Sequence, residues 1–393
     1  MLVSTLVLSF AILVTALPGR SSPPKHYSPN ATSGVPLDSV LVFDPPQNYT
    51  IPRTLYARTL QLKECGTLLA TWENYGPNDN TFPHFPIYQS TDGGLTWSER
   101  TKVYDQINGW GLRYQPFLYQ LECPIGGYPA GTVLLAGSSI PDDLSQTQLE
   151  LYASSDNAHT FHFVAHVARG GVALPNNGET PVWEPFLMEY QGNLVYYYSD
   201  QRDPGAGQKL VHQVTSDLVT YGPVVDDVKY GTYDWRPGMT SISHLPNGSY
   251  ILTYEFYGAV EEAFAVYYRL SESPLTFNQA GYGQVIRATD GKLPVGSPYN
   301  VWTPAGGENG TILVSCGGDE GLWVSKDLTA TWTYGNTTEK TSYSRSLLVE
   351  QDEKTILIVG AGVLSGTHNN VTASTVGVAK LLGRAGIGES MME

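Results

Sequence analysis

Residues 90–97 of the chain read STDGGLTW, which fits the pattern S-x-D-x-G-x-T-W. Related segments stand at 154–161 (SSDNAHTF) and 325–332 (SKDLTATW), and shortened forms stand at 216–221 (SDLVTY) and 271–277 (SESPLTF). The aromatic residues that close these five segments are 55 to 64 residues apart. This period is typical of a four-stranded β-sheet with its loops, so the repeat predicts a β-propeller.

The physical chemistry of the repeated segment, here called the box, is that of a tight hairpin turn. Its Asp and Ser or Thr side chains can hydrogen-bond the turn backbone, and its last aromatic residue can fill the space between neighbouring sheets. We therefore predict that the box is structural and that Trp97 and Trp332 pack between blades. A β-sandwich with coincidental Ser-Asp turns is the alternative that the pattern leaves open.

A second repeat consists of short runs rich in β-branched and aromatic residues, and five of the six runs are preceded by a turn that contains Gly or Asn. The runs are 67–72 (TLLATW), 132–136 (TVLLA), 194–198 (LVYYY), 250–254 (YILTY), 311–315 (TILVS) and 355–359 (TILIV). We interpret them as the same strand of six successive units. The sequence thus predicts an all-β, six-bladed propeller, in which residues 39–43 pair with 376–381 and close the ring.

Composition excludes several classes of function. The 393 residues carry a formal charge of −15, so charge will not draw the chain to nucleic acid or to an anionic membrane. The 41% of hydrophobic residues can support a large core, which argues against disorder. The 41 Gly, 26 Pro and 26 Tyr, with only 15% charged residues, are unlike a helical bundle.

The N-terminus predicts export. Residues 5–17 are apolar but too short to span a membrane, so we interpret residues 1–16 as a signal peptide and 17–38 as a Pro/Ser-rich tether. A single propeller domain then occupies 39–385, with a tail at 386–393. A secreted, extracellular protein is consistent with six N-x-Ser/Thr sequons, at Asn30, Asn48, Asn247, Asn309, Asn336 and Asn370. Three cysteines, Cys65, Cys123 and Cys316, allow one disulfide at most.

Two carboxylates stand out as candidates for acid–base or nucleophilic chemistry. Glu184 lies in TPVWEPFL at 180–187, and Glu255 lies in YILTYEFY at 250–257. A charge in such apolar surroundings is costly unless it faces water or a partner. Their separation is slightly longer than one blade, so adjacent blades should bring both to one site, as glycoside hydrolysis requires. The structural alternative is a glutamate at a strand end that is bonded to an arginine or to backbone amides.

Other polar and aromatic residues occur at corresponding places in the blades. Arg58, Arg236 and Arg345 could line an axial funnel and orient a polar ligand, or could instead form ion pairs between blades. Trp183, Trp235, Tyr257, Tyr299 and Trp302 could stack on sugar rings. No histidine pattern predicts a catalytic zinc and no nucleotide-binding motif occurs, so we expect no cofactor. Calcium bound by acidic pairs such as Asp226-Asp227 stays an open alternative.

These residues together carry a family resemblance. The secretory start, the box motifs (Asp-boxes, which sialidases share), Trp-Glu-Pro around Glu184, the DWRPGM segment from Asp234 to Met239, and Tyr-Glu-Phe around Glu255 resemble the fungal exo-α-1,5-L-arabinanases of glycoside hydrolase family 93. The likeness extends over residues 39–382. It implies a six-bladed enzyme that releases arabinobiose from the non-reducing end of linear α-1,5-arabinan, with retention of configuration. We also expect the protein to be a monomer.

The resemblance also implies roles for residues. Glu184 and Glu255 would be the catalytic pair, and Tyr343 a tyrosine hydrogen-bonded to the nucleophile. We favour Glu184 as the nucleophile and Glu255 as the acid/base, because Tyr257 shares a strand face with Glu255 and could keep it dry. Two alternatives remain: a sialidase or another exo-glycosidase, with Arg58, Arg236 and Arg345 as carboxylate-binding arginines, and a non-catalytic carbohydrate-binding propeller.

Overall fold

A computed structural model describes residues 33–77 and 83–383. Within them, 24 strands form six four-stranded antiparallel sheets, the blades of a six-bladed β-propeller. The first strands are β1 (Val40–Phe43), β2 (Thr54–Gln61), β3 (Leu68–Asn74), β4 (His84–Ser90), β5 (Ser98–Tyr104), β6 (Leu112–Gln120), β7 (Val133–Ser139), β8 (Thr147–Ser154), β9 (His162–Gly170), β10 (Val182–Tyr190), β11 (Asn193–Asp200) and β12 (Lys209–Thr215).

The remaining strands complete the ring. They are β13 (Val225–Val228), β14 (Arg236–His244), β15 (Tyr250–Tyr257), β16 (Ala265–Ser271), β17 (Gln284–Val285), β18 (Tyr299–Thr303), β19 (Thr311–Ser315), β20 (Leu322–Ser325), β21 (Thr333–Gly335), β22 (Ser346–Val349), β23 (Thr355–Gly360) and β24 (Val371–Gly377). The described helices are a 3₁₀ turn at Phe277–Gln279 and α1 (Val378–Leu381), and no described helix is long and apolar enough to cross a membrane.

The apolar repeat found in the sequence corresponds to the second strand of each blade, which confirms the six-bladed prediction. The six strands are β3, β7, β11, β15, β19 and β23, and each lies second in its sheet. Almost all of their residues are buried, because neighbouring blades cover both faces of a central strand. Burial on both faces explains why these strands read as continuous apolar runs rather than as alternating patterns.

The ring closes through the N-terminal strand, as predicted, but with a different partner segment. β1 pairs antiparallel with β24, with Val40 opposite Ala373. Residues 378–381, expected to belong to this strand, form α1 instead. The ordered domain also begins before residue 39, because Leu37 is buried and exchanges hydrogen bonds with Thr375. The segment predicted as a tether therefore ends earlier than expected; residues 1–32, with the proposed signal peptide, lie outside the described residues.

The boxes form the predicted hairpin turns between the third and fourth strands. In the first box, Asp92 accepts hydrogen bonds from the Thr96 amide (3.0 Å) and hydroxyl (2.6 Å) and from Ser90 Oγ (2.7 Å). Asp156 and Asp327 make the same contacts in their boxes. Trp97 and Trp332 pack against the core clusters beside their blades. Every cysteine is free, so no disulfide joins the described blades.

Candidate active site

The inner strand of every blade is interrupted at the same place. In all six blades one residue in or just before this strand has a left-handed backbone, with φ between 48° and 62°. The six residues are Tyr56, Gln115, Glu184, Met239, Ser297 and Ser344. In the first four blades the residue sits in a β-bulge, where the register of the inner strand shifts. Bulges and left-handed non-glycine residues concentrate at functional sites, because they redirect side chains out of the sheet.

The amides at these bulges are bonded to the preceding blade. The amide of Gln115 donates to Glu73 Oε1 (3.0 Å), and the amide of Met239 donates to Glu184 Oε2 (2.8 Å). The amide of Ser297 donates to Glu255 Oε2 (2.7 Å). In these three blades the N–H group of the left-handed residue thus fixes an acidic side chain of the preceding blade.

These side chains line one cavity of about 1000 Å³ at the end of the ring where the inner strands begin. The cavity is lined by residues from all six blades. The lining includes Glu73, Tyr75, Gln115, Leu174, Asn177, Trp183, Glu184, Gln208, Arg236, Glu255, Tyr257, Phe264, Ser297, Tyr343 and Leu364. A concave site with convergent polar groups is the form expected of a small-molecule or oligosaccharide site.

Glu184 is held rigidly at the cavity wall. It is 8% exposed, and its Oε2 accepts hydrogen bonds from Ser199 Oγ (2.6 Å) and from the Met239 amide. Burial raises the pKa of Glu184, whereas the two hydrogen bonds and the positive charges of Arg236 and Arg58 lower it. Two donors that point at one oxygen favour the ionised carboxylate.

Glu255 lies beside Glu184 on the next blade. Its backbone pairs with Gly238, the residue before Met239, so both carboxyls approach the same bulge. A Cβ at Gly238 would stand 2.9 Å from Gln208 Nε2 and 3.3 Å from Glu255 Oε1, so any other residue here would displace these side chains. Burial and the charge of Glu184 raise the pKa of Glu255 to about 7, and one amide and Arg236 oppose that shift. Burial thus raises the pKa of both carboxyls, but two hydrogen bonds and two guanidinium groups oppose that shift at Glu184, whereas one amide and Arg236 oppose it at Glu255, so Glu184 is the better stabilised anion of the two.

A third carboxyl, Glu73, belongs to the same site, although the sequence reasoning missed it. It accepts hydrogen bonds from Tyr75 Oη (2.7 Å) and from the Gln115 amide, and burial raises its pKa to about 7. Glu73 and Glu255 occupy equivalent positions, because each lies opposite the residue before a bulge, Leu55 and Gly238 respectively. The sequence feature that could have identified Glu73 is its position directly after the apolar run 67–72, in the strand that corresponds to β15.

One guanidinium balances these carboxyls at the wall. Arg236 donates to the Pro175 carbonyl, to Gln201 Oε1 (3.0 Å) and to Gln208 Oε1 (3.2 Å). Burial lowers the pKa of Arg236, and the charges of Glu184 and Glu255 oppose that shift. Its contact with Pro175 also anchors the segment from Leu174 to Asn177, which lines the cavity.

Three further predicted residues lie on the wall. Trp183 is buried and its Nε1 donates to Gln201 Oε1 (3.3 Å), so its ring is fixed. Tyr257 is 44% exposed and packs against Phe264 with ring centroids 5.0 Å apart, which gives an aromatic face at the rim. Burial and the charges of Glu184, Glu255 and Glu73 raise the pKa of Tyr343 well above 10. Within the described residues, its hydroxyl makes no hydrogen bond to Glu184.

Other predicted binding residues lie elsewhere, and the prediction for them is corrected. Arg345 is fully buried and donates to the carbonyls of Asp319, Glu320, Gly321 and Glu339, so it ties chain segments together. Trp302 lies at the far end of β18, where its Nε1 donates to the Asn309 carbonyl (3.0 Å).

Arg58, Asp234 and Trp235 also stand behind the wall rather than on it. Arg58 is 4% exposed and donates to Ser344 O (3.1 Å) and Oγ (2.9 Å), and its guanidinium lies 3.9 Å from the Tyr56 ring centroid. Asp234 accepts a hydrogen bond from Asn177 Nδ2 (2.8 Å) and thereby supports the wall segment. Trp235 packs against Phe256. Among Arg58, Arg236 and Arg345, only Arg236 reaches the cavity, which argues against a triad of ligand-binding arginines.

Comparison with solved structures agrees with this geometry. The chain is similar to an alpha-L-arabinanase of Penicillium chrysogenum complexed with arabinobiose, with 49% identity over 88% of this chain and 99% of that one, and a TM-score of 0.86. It is equally similar to the GH93 alpha-L-arabinofuranosidase of Fusarium graminearum complexed with arabinobiose, at 50% identity, the same coverage and a TM-score of 0.86.

More distant structures share the fold alone. The NanB sialidase of Streptococcus pneumoniae is 10% identical over 88% of this chain and 71% of that one, with a TM-score of 0.55. No protein-family model matches the chain, and no curated protein does.

Proposed function

The chain belongs to glycoside hydrolase family 93, and we propose that it is an exo-acting enzyme that cleaves α-1,5-linked L-arabinan and releases arabinobiose from the non-reducing end. The observation that carries this proposal is the meeting of Glu184 and Glu255, from adjacent blades, at one bulge in one cavity. The Penicillium and Fusarium relatives were both solved with arabinobiose, which supports a disaccharide as the bound product.

The proposed mechanism is a double displacement with retention. Glu184 attacks the anomeric carbon and forms a glycosyl-enzyme, while Glu255 donates its proton to the leaving glycosidic oxygen. Water then attacks the glycosyl-enzyme, Glu255 takes a proton from that water, and Glu184 leaves as the free carboxylate. The hydrogen bonds of Ser199 and Met239 to Glu184 support its role as the anion, and the raised pKa of Glu255 supports its role as the acid.

Product analysis tests substrate, bond and mode of action together. On debranched α-1,5-arabinan we expect a disaccharide to accumulate from the first time point, without intermediate oligosaccharides. Proton NMR of the earliest product should show the α-anomer, because two inversions at one carbon restore its configuration. A ladder of oligosaccharides would mean endo cleavage, and hydrolysis of sialosides instead of arabinan would favour the sialidase alternative.

We also propose that the protein is secreted and N-glycosylated. Four of the predicted sequon asparagines, Asn48, Asn247, Asn309 and Asn336, are exposed, and Asn370 is partly exposed; Asn30 lies outside the described residues. Asn247 Oδ1 accepts hydrogen bonds from the Ser249 amide (3.1 Å) and hydroxyl (2.7 Å), so this sequon lies in an ordered turn.

Glycosylation is checked by mass spectrometry of the protein secreted from a eukaryotic host. Asn247→Gln should lose the mass of one glycan, and Asn193→Gln, which lies outside any sequon, should lose none. Secreted protein with the unmodified mass of the mature chain would contradict glycosylation, and retention inside the cell would contradict export.

A further inference from the structure

A second pocket lies on the side of the propeller, between the outer parts of the third and fourth blades. Its volume is about 480 Å³, within the ~300–1,000 Å³ range of ligand sites. It is lined by Asp226, Asp227, Lys229, Tyr230, Gly231, Arg269, Asn278, Ala280, Gly281 and Tyr282. None of these residues belongs to the catalytic cavity.

The pocket exists because the fourth blade departs from the repeat. Its box, 271–277, has no aspartate, and a 3₁₀ turn at Phe277–Gln279 follows directly after the turn of the box. Its outer strand, β17, is only two residues long, whereas β5 has seven and β9 has nine. The shortened outer strand leaves the flank of the blade uncovered next to β13, and residues 280–283 form one edge of the opening.

An aromatic surface stands at this edge. Tyr282 is 83% exposed, and its ring is stacked over Tyr230 with centroids 6.2 Å apart and planes 26° apart. Tyr230 in turn stacks on Phe256 at 4.4 Å, and Phe256 directly follows Glu255. A highly exposed tyrosine that is held parallel to a second ring offers a flat apolar face, which is what the C–H side of a sugar ring contacts.

The interior of the pocket is polar and has unused hydrogen-bonding capacity. Arg269 is 8% exposed and donates to the carbonyls of Asp227 (2.9 Å) and Phe277 (3.1 Å), but its Nε has no partner among the described residues. Asp227 is 1% exposed; its Oδ1 lies 2.8 Å from His212 Nδ1, and its Oδ2 has no described partner. Buried polar atoms are normally bonded, so such atoms at a pocket point to a missing polar ligand or water.

The charges of the lining specify the class of ligand. Two carboxylates, Asp226 and Asp227, face two cations, Lys229 and Arg269, so the pocket favours neither an anion nor a cation. Asp226 forms an ion pair with Lys209 (2.7 Å), and Lys229 forms one with Asp203 (2.6 Å). These ion pairs further reduce the charge that Asp226 and Lys229 present to a ligand. A balanced set of donors and acceptors beside an aromatic face suits a neutral chain with many hydroxyl groups.

We propose that this side pocket is a second, non-catalytic binding site for a neutral polysaccharide chain, with Tyr282 as its stacking platform. The inference rests on the proposed function for the identity of that chain as arabinan. The loop from Lys229 to Trp235 joins the pocket to Arg236, which lines the catalytic cavity. The site would raise the affinity for polymeric substrate and leave the cleavage of a short substrate unchanged.

Affinity electrophoresis in native gels that contain debranched arabinan tests the pocket. All variants carry Glu255→Gln, so that the polymer is not degraded during the run. Tyr282→Ala should weaken retardation by about two- to tenfold, the range expected for the loss of one aromatic contact. Tyr282→Trp should restore retardation, and Tyr104→Ala, which removes an exposed tyrosine from the first blade, should not change it.

Kinetics in the otherwise wild-type protein give an independent readout. Tyr282→Ala should raise KM on polymeric arabinan and leave kcat/KM on an aryl arabinobioside unchanged. Equal retardation and equal polymer kinetics for Tyr282→Ala and Tyr104→Ala would overturn the side pocket, whereas the proposed function would stand. Retardation by arabinan that depends on Tyr282, in a wild-type protein that does not hydrolyse arabinan, would support the side pocket and overturn the proposed function.

Discussion

Glu184→Gln is expected to abolish hydrolysis of both arabinan and aryl arabinobiosides with activated leaving groups. Glutamine keeps the size of the side chain and can still accept a hydrogen bond from the Met239 amide, but it lacks a carboxylate that could attack the anomeric carbon. The loss should be on the order of 10⁴-fold or more, as in other enzymes that lose their nucleophile. A good leaving group cannot compensate, since the covalent intermediate no longer forms.

The matched control for this variant is Glu189→Gln on the same strand. Glu189 lies five residues further along β10, away from the cavity, and accepts hydrogen bonds from the amides of Glu122 and Cys123. The activity of the Glu189→Gln variant should stay close to that of the wild type. Arabinobiose binding and the melting temperature should show that Glu184→Gln is folded. Rapid cleavage of an activated substrate by Glu184→Gln would show that the nucleophile is a different group.

The fold could be predicted because two of its features are repeated in the sequence. The box recurs because each hairpin needs the same Asp and Ser or Thr hydrogen bonds, and the second strand recurs because blades cover both of its faces.

The predicted partner segment of β1 was wrong by a few residues. The apolar segment around Val376 to Leu381 suits either a strand or a helical turn, and packing against the fifth blade decided for the helix.

The two carboxyls that meet in the cavity, Glu184 and Glu255, could be found in the sequence because a charge in an apolar strand is costly and therefore conspicuous. The same reasoning applies to Glu73. It was overlooked because the apolar run before it was taken to end at Trp72, and the residue that follows was not considered. The bulges could not be predicted from a single blade. Their left-handed residues are as different as Tyr56, Gln115 and Met239, because the geometry is imposed by contacts between blades and not by local preference.

The positions of the arginines and tryptophans could not be derived from sequence spacing. Arg345 directly precedes the inner strand β22 and Trp302 lies in the inner strand β18, but the direction and height of a side chain along the ring decide what it contacts. Arg345 points to four carbonyls between blades, and Trp302 lies at the end of its strand away from the cavity. A propeller of this size needs many such buried contacts between blades, so most large side chains serve packing.

The second large effect is expected from the proposed acid/base role of Glu255, and its size should depend on the leaving group. Glu255→Gln should slow arabinan hydrolysis by about 10²–10⁴-fold, the usual contribution of general acid–base catalysis. With a dinitrophenyl arabinobioside, formation of the glycosyl-enzyme should be nearly normal, because that leaving group departs without protonation. A burst of dinitrophenol followed by slow turnover is therefore expected, and its absence would contradict the role.

The pH dependence provides a separate test of the same role. Burial and the charge of Glu184 raise the pKa of Glu255 to about 7, so its acid form is depleted above that pH. For the wild type, kcat/KM on arabinan should therefore fall as the pH rises through about 7. Below that pH, kcat/KM should fall only where Glu184 takes up a proton and ceases to be a nucleophile.

In the variant Glu255→Gln the alkaline fall in kcat/KM should vanish, because no proton remains to be lost at that position, and the acidic fall should remain. An unchanged alkaline fall in the variant would assign that titration to another group, of which Glu73, with a pKa raised to about 7 in the same cavity, is the nearest alternative.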